Sequence, residues 1–197
     1  MTDELLSYAL LAGEVVDAVL GTPPRAPVAV HLVGVGTPPV PRDGMSARTY
    51  RPDGFVVVAD ARTIAVDDPA SSGPSPKHLA GAFDLHFVLS ARGYADLAQV
   101  VHCNHDAVPM RPPAYALVPQ PFALRGRVTQ GGLTPTPFAG ASVAIAATAL
   151  ATTTDADGTY VFVSVPAAAT VTVVANGTPR TVPTSYPDPV LTVNFAF

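Results

Sequence analysis

The chain has 197 residues, with 15 acidic against 11 basic side chains and a formal net charge of −4. This balance excludes the basic surface that nucleic-acid binding requires. The hydrophobic fraction of 48% permits real cores, while 22 prolines and 15 glycines indicate many turns and few long helices. The length exceeds one small β-sandwich and suits two. No apolar run approaches the ~20 residues of a membrane-spanning helix, so we expect no membrane insertion.

The first residues and the number of cysteines indicate the cellular compartment in which the protein is made. Met1-Thr2-Asp3-Glu4 is acidic, whereas a secretory signal begins with a positively charged region. Cys103 is the single cysteine, so no intrachain disulfide can form. We therefore expect cytoplasmic synthesis without a signal peptide, which leaves export by a non-standard route open. Incorporation into a larger particle is one setting that we consider for such a protein.

The first half of the chain reads as short strands separated by turns. Alternating apolar and polar residues predict strands over residues 9–17, 26–32, 48–50, 55–59, 83–90, 98–103 and 115–118. Residues 34–46 form a loop rich in proline and glycine. The segment 60–82 is rich in Pro, Ser and Asp and is long for a compact sandwich, and such insertions are either functional or disordered.

The clearest turn signal lies in the second half, where Asp155-Ala156-Asp157-Gly158 separates two strand-like runs. Glycine adopts positive φ at little cost, and an Asp side chain bonds to its own backbone two residues on. A weaker copy of this predicted hairpin is Asp53-Gly54. The residues that we assign to structural turns are Asp53, Gly54, Asp155, Asp157 and Gly158.

The second half repeats the plan of the first in fewer residues. Residues 123–129 match 10–16, residues 139–145 match 25–30, and residues 170–175 match 83–90. Short strands at even spacing indicate all-β sandwiches. We predict two tandem sandwich domains, residues 1–118 and 123–197, joined by a short Pro-rich linker at residues 119–122.

The ordered motifs Gly126-Arg127-Val128, Gly140-Ala141-Ser142-Val143, 154–160 and Val165-Pro166 resemble the carboxypeptidase regulatory-like domain. The resemblance covers residues 123–197 and implies a transthyretin-like, seven-stranded sandwich. Residues 9–118 are similar to a diverged copy that carries the 60–82 insertion. The family's domains are mostly non-catalytic, so the resemblance implies binding or a structural role and supplies no catalytic residues.

The residues themselves supply no catalytic or metal set. His102-Cys103-Asn104-His105 contains zinc-ligand types, but on a strand His102 and Cys103 point to opposite faces, and Cys103 is most simply a buried hydrophobe. Asp155-x-Asp157 lacks the further oxygen ligands that calcium needs. We therefore predict no enzyme activity, no cofactor and no metal.

Two hypotheses of different classes follow. The first is a structural or adaptor protein that contacts other proteins through sheet edges and loops, as a component of a large assembly such as a phage-tail-like or contractile injection particle. The alternative is a carbohydrate- or ligand-binding surface module that uses the 60–82 insertion. The oligomeric state is not predicted.

Overall fold

The computed structural model describes residues 7–60, 82–104, 109–184 and 190–197. These residues form strands joined by turns, which confirms the all-β fold class. No helix in these ranges is long and apolar enough to cross a membrane. Contacts divide the chain into two compact units, Met1–Val118 and Pro119–Phe197. That each unit folds independently, with residues 119–122 as a linker, stays a prediction.

The first unit contains seven described strands in two sheets. The strand order is β3-β4-β1-β7 in one sheet and β2-β5-β6 in the other. The bounds are β1 Ser7–Asp17, β2 Val28–Val35, β3 Met45–Arg51, β4 Gly54–Asp60, β5 Phe83–Ala91, β6 Leu97–Cys103 and β7 Tyr115–Leu117. The middle of the 60–82 insertion, residues 61–81, lies outside the described residues, so the predictions made for it remain predictions.

The core of the first unit is built around three aromatic rings. Phe55, Phe87 and Tyr115 lie with their centroids 5.6–5.9 Å apart. A buried carboxylate closes the end of β1, where Asp17 accepts hydrogen bonds from two backbone N–H groups and from the Tyr94 hydroxyl at 2.8 Å. These bonds satisfy a charge that would otherwise be costly to bury.

The second unit contains nine described strands, also in two sheets. The order is β12-β8-β15 in one sheet, with β9 and β16 also paired to β8, and β11-β10-β13-β14 in the other. The bounds are β8 Phe122–Gln130, β9 Thr136–Pro137, β10 Ser142–Ile145, β11 Ala151–Thr153, β12 Thr159–Val165, β13 Thr170–Ala175, β14 Thr178–Pro183, β15 Val190–Thr192 and β16 Phe195–Ala196.

The two units share a strand path and a register. β1 pairs antiparallel with β4 and parallel with β7, and β8 likewise pairs antiparallel with β12 and parallel with β15, so the antiparallel neighbour comes first along the chain in both units. Gly13 opposes Phe55 in the first unit, and Gly126 opposes Tyr160 in the second. In both units an aromatic side chain occupies the space beside a glycine that has no side chain of its own. The strand pairing therefore agrees with the sequence match of residues 10–16 to 123–129, because Gly13 and Gly126 occupy equivalent positions in both.

The predicted hairpin repeat differs from the structure in two respects. β3 and β4 pair as a hairpin, whereas β11 pairs with β10 and β12 pairs with β8, so the turn at 154–158 crosses between two sheets. The equivalence also shifts by one residue: Val15 donates to the Asp53 carbonyl, and Val128 donates to that of Gly158. The strand before the turn is β3 in the first unit and β11 in the second, and it joins a different sheet in each unit. Local sequence does not specify this choice of neighbour.

Candidate protein-docking edges

The β12 strand lies at the edge of its sheet and exposes two large apolar side chains. Val161 is 55% exposed and Val163 is 84% exposed, while Tyr160 and Phe162 point into the core. The strand contains no proline and no charged residue. Natural edge strands are normally guarded by charge, proline, bulges or short length, because an open edge invites another strand to pair. Of these, β12 has only a register irregularity between Phe162 and Val165.

The backbone N–H and C=O groups of β12 also point away from the sheet at Val161, one of the two residues with exposed side chains. The Val128 N–H donates to the Gly158 carbonyl at 2.8 Å, which makes Tyr160–Gly126 the next hydrogen-bonded pair of the ladder. The N–H and C=O of Val161 therefore point away from β8. Among the described residues, no backbone group bonds to them. A strand from another molecule could form both hydrogen bonds there.

The first unit has a comparable edge at β6. This strand pairs with β5 through seven consecutive residue pairs without a bulge. Gly36 donates to the Asp84 carbonyl on the far side of β5, so the backbone groups of alternate β5 residues, beginning with Leu85, face β6. The N–H and C=O groups of Ala98, Val100 and His102 then point to the open side. The same three residues carry the exposed side chains of the strand, and Val100 is 56% exposed.

The other sheet edges carry protection. β14 contains Pro179 and Pro183, and β3 contains Arg48 and Arg51. β2 has a register shift near Val33 and is also covered at Val35 by a two-way backbone bridge to Val40. The edge strands β7, β11 and β15 each have only three residues. Because each of these features disfavours pairing with another strand, β6 and β12 are the most open edges of the described residues.

The predicted turn residues of the second unit form a compact hydrogen-bonded turn. The Asp155 carboxylate accepts from the N–H of Asp157 at 2.9 Å and from the N–H and hydroxyl of Thr159 at 2.8 Å. These bonds, led by the Thr159 N–H, hold the pKa of Asp155 below its ordinary value. Gly158 has φ +73°, and a Cβ there would lie 2.4 Å from the Val128 oxygen. The turn thus fixes the first residue of the β12 edge.

The predicted turn residues of the first unit lie between β3 and β4. Asp53 is in the turn and Gly54 begins β4, opposite Glu14 of β1. The Arg51 guanidinium lies 3.1 Å from Glu14 and 3.8 Å from Asp53. Gly54 is not among the glycines with positive φ, so its role differs from that of Gly158. A Cβ at Gly54 would lie 2.8 Å from the Tyr50 ring.

The structure places the His102 and Cys103 side chains on opposite faces of β6. Cys103 is fully buried, and burial raises the pKa of its thiol to about 11, which makes it a poor nucleophile or metal ligand. His102 is exposed, and its Nδ1 lies 3.0 Å from Asp84 Oδ1. The bond to His102 is the main cause that lowers the pKa of Asp84. His105 lies outside the described residues, and those described hold no metal-binding group of three or more His, Cys, Asp or Glu side chains.

Sequence reasoning did not single out the edge residues Val100, Val161 and Val163. The alternation of these residues with buried neighbours predicts a half-buried strand. It does not show whether that strand lies at the edge of its sheet, because this depends on how the other strands are arranged. The only available signal was negative, namely that these two runs contain neither charge nor proline.

Comparison with known proteins gives a weak match of overall architecture. No protein-family model matches the chain, and no curated protein matches its sequence. The resemblance to the carboxypeptidase regulatory-like domain therefore stays a prediction. Solved structures that align with it include BcpA, the major pilin subunit of Bacillus cereus, at 10% identity and a TM-score of 0.34. The alignment covers 98% of this chain and 59% of BcpA, so the chain spans about three-fifths of that protein's length.

Two further structures align with most of the chain. The backbone protein of group B streptococcus pilus 2b is 14% identical, with 100% of this chain and 86% of that chain covered and a TM-score of 0.31. A putative cell adhesion protein from Bacteroides fragilis is 13% identical, with coverages of 95% and 91% and a TM-score of 0.26. At this similarity the structures carry no argument for a function.

The prediction of a cytoplasmic location is nevertheless wrong by this comparison. The aligned proteins are pilins and a cell adhesion protein, which are not cytoplasmic components. The prediction rested on the acidic residues at the start of the sequence. Two acidic residues do not determine where a folded chain ends up, and we withdraw it.

Proposed function

We propose that this chain is a non-enzymatic structural or adaptor protein that contacts other proteins through open sheet edges. The observation that carries the proposal is the β12 edge, where the outward N–H and C=O of Val161 lie beside the exposed Val161 and Val163 side chains. A partner segment in an extended conformation would add a strand to this sheet. Its main-chain hydrogen bonds would supply affinity, and the valine surface would select apolar side chains at alternate positions.

The more specific part of the proposal concerns the kind of assembly to which the protein belongs. A phage-tail-like or contractile injection particle is one such setting, since its subunits hold one another through repeated contacts between rigid domains. The ligand-binding alternative depends on the 60–82 insertion, most of which lies outside the described residues. No observation on the described residues favours that alternative.

The test is a capture experiment that depends on one backbone N–H. Val161→Pro removes the outward N–H, and proline is tolerated at an edge position whose N–H faces away from the sheet. Val161→Thr keeps both the N–H and a β-branched side chain and serves as the matched control. Tagged wild type, Val161→Thr and Val161→Pro are each incubated with extract of the native cell, and the retained proteins are quantified by mass spectrometry.

We expect the same partner to be retained by wild type and Val161→Thr and to be lost with Val161→Pro. Circular dichroism confirms that all three chains are folded. Equal retention by all three chains would contradict docking at this edge, as would retention of nothing by any of them.

A further inference from the structure

The β6 edge of the first unit has features that suit a second copy of the same strand. Its sequence Leu97–Cys103 contains no Asp, Glu, Lys or Arg. The backbone groups that point outward belong to Ala98, Val100 and His102, which are spaced symmetrically about Val100. We infer that two copies of this chain pair through β6 in antiparallel orientation about a two-fold axis at Val100. This inference rests on the proposed docking through sheet edges and names the partner for one of them.

The backbone hydrogen bonds fit this arrangement. With Val100 opposite the partner's Val100, Ala98 lies opposite the partner's His102, and His102 lies opposite the partner's Ala98. All of these are hydrogen-bonded pair positions, because the groups of all three residues point to the open side. Every outward N–H and C=O of the three residues then finds a partner, and two three-stranded sheets become one continuous sheet.

The side chains fit as well. Val100 meets its own copy across the axis, which brings together two β-branched apolar groups that are 56% exposed in the single chain. The small Ala98 faces the larger imidazole of the partner's His102, so bulky groups do not oppose each other. On the other face of the strand, Leu97 lies opposite the partner's Cys103.

Charge does not oppose the pairing. Among the described residues, two carboxylates lie beside the strand: Asp84, one strand in from the edge and hydrogen-bonded to His102 at 3.0 Å, and Asp96, which immediately precedes Leu97 and in this register lies level with the partner's neutral Asn104. The two copies of Asp84 would lie more than roughly 14 Å apart, because three strand spacings separate them across the new sheet and they are also offset along the strands. That separation exceeds the screening length of about 8 Å at physiological ionic strength, so their repulsion is small. An isologous contact of this kind closes on itself and gives a dimer rather than a filament.

The two-fold axis allows a decisive test, because a residue on the axis meets its own copy. Val100→Lys places two like charges directly opposite each other, as does Val100→Glu, and each change alone is expected to weaken the dimer about tenfold or more. Mixing the two variants places Lys opposite Glu and restores association. The readouts are sedimentation velocity of each full-length chain over a concentration series and capture of untagged Val100→Glu by tagged Val100→Lys.

Val163→Lys is the matched control, since it places the same charge on an exposed valine of the β12 edge and leaves the proposed dimer intact. Wild type and Val163→Lys should dimerise alike, each Val100 variant alone should need about tenfold or more higher concentration to dimerise, and the mixture should form the mixed dimer. A wild type that is monomeric at every concentration would overturn the inference, as would a dimer unaffected by Val100→Lys or variants that fail to recover on mixing. None of these outcomes touches the Val161-dependent capture at the other edge, so the two proposals fail separately.

Discussion

Gly126 lies directly opposite Tyr160 in the antiparallel ladder of β8 and β12, and the tyrosine hydroxyl occupies the space beside the glycine. A Cβ at position 126 would lie 2.6 Å from that hydroxyl and 1.7 Å from the Val193 carbonyl oxygen. The hydroxyl itself donates to the Val193 carbonyl at 2.5 Å. The missing side chain thus lets β8, β12 and the backbone between β15 and β16 approach one another closely.

Gly126→Ala should destabilise the second unit by about 1–3 kcal/mol, because the added methyl group collides with backbone that cannot move as a flexible side chain can. Urea denaturation of the full chain, followed by tyrosine fluorescence, measures the loss. Gly132→Ala is the control, since nothing lies within 4 Å of a Cβ at that position and its φ is not positive. Equal stability of the two variants would show that the close approach at Gly126 is not tight.

Gly158→Ala should cost more than Gly177→Ala. Both glycines have positive φ, at +73° and +78°, so both variants bear the backbone strain of about 1–2 kcal/mol that a side chain suffers there. Only Gly158 also faces a close contact, 2.4 Å from the Val128 oxygen, whereas the space around Gly177 is open. Thermal unfolding should therefore rank wild type, Gly177→Ala and Gly158→Ala in order of falling Tm. The reverse order of the two variants would contradict the described turn.

Asp155→Asn should lower the Tm by a few degrees at neutral pH, because the carboxylate holds the turn through several hydrogen bonds. The pKa of Asp155 is lowered in the folded chain, so its contribution is present above the ordinary value of 3.8 and is lost as the pH falls below it. The Tm difference between wild type and variant should therefore shrink below about pH 4. Asp157→Asn, which alters a neighbouring carboxylate in the same turn, is the control. A difference that stays constant down to pH 2 would argue against a charged Asp155 in the turn.

Tyr94→Phe should destabilise the first unit by about 1–3 kcal/mol, because it removes a hydrogen bond to the fully buried Asp17 carboxylate. Burial, followed by the bond to Asp17, raises the pKa of Tyr94 to about 12. A raised pKa means that the stabilisation is complete below the ordinary value of 10 and is lost between about pH 10 and 12. The stability of wild type and variant should converge over that range in urea titrations. Tyr50→Phe, at an exposed tyrosine of the same unit, is the control and should leave stability nearly unchanged.

Much of the fold was predictable because both units alternate apolar and polar residues along their strands. The run over residues 83–90 corresponds to β5, and the glycine match of 13 to 126 anticipated the shared register. The opposite orientations of His102 and Cys103 followed from the same period of two. These features are local, so a single sequence contains them.

Features that depend on distant partners were not predictable. The turn at Asp155 had the residues of a hairpin, but β11 joins β10 instead of β12, because the neighbour is chosen by packing across the sandwich. Residues 190–197 alternate apolar and polar side chains as one strand would, but the structure divides them into β15 and β16, with Asn194 between them accepting a hydrogen bond from the Arg127 N–H. The openness of β6 and β12 likewise depends on which strands lie beside them, and within the part of the chain that the structure describes each has a neighbour on one side only.

A fragment of residues 119–197 should fold without the first unit. Its buried side chains, from Phe122 to Phe195, form one cluster, and the first unit has a cluster of its own. A compact unit with its own core meets the requirement for independent folding. Circular dichroism and a cooperative thermal transition check this, and a random-coil spectrum would contradict the division into domains.

Hydrogen exchange at single amides of β12 tests the docking account most directly. In the isolated chain, the outward amide of Val161 should exchange rapidly, while the amides of Tyr160 and Phe162, which bond to β8, should be protected. In the complex captured from native extract, the Val161 amide should become protected as well. Protection of Val161 already in the isolated chain, or a complex that leaves its exchange unchanged, would contradict docking through this edge.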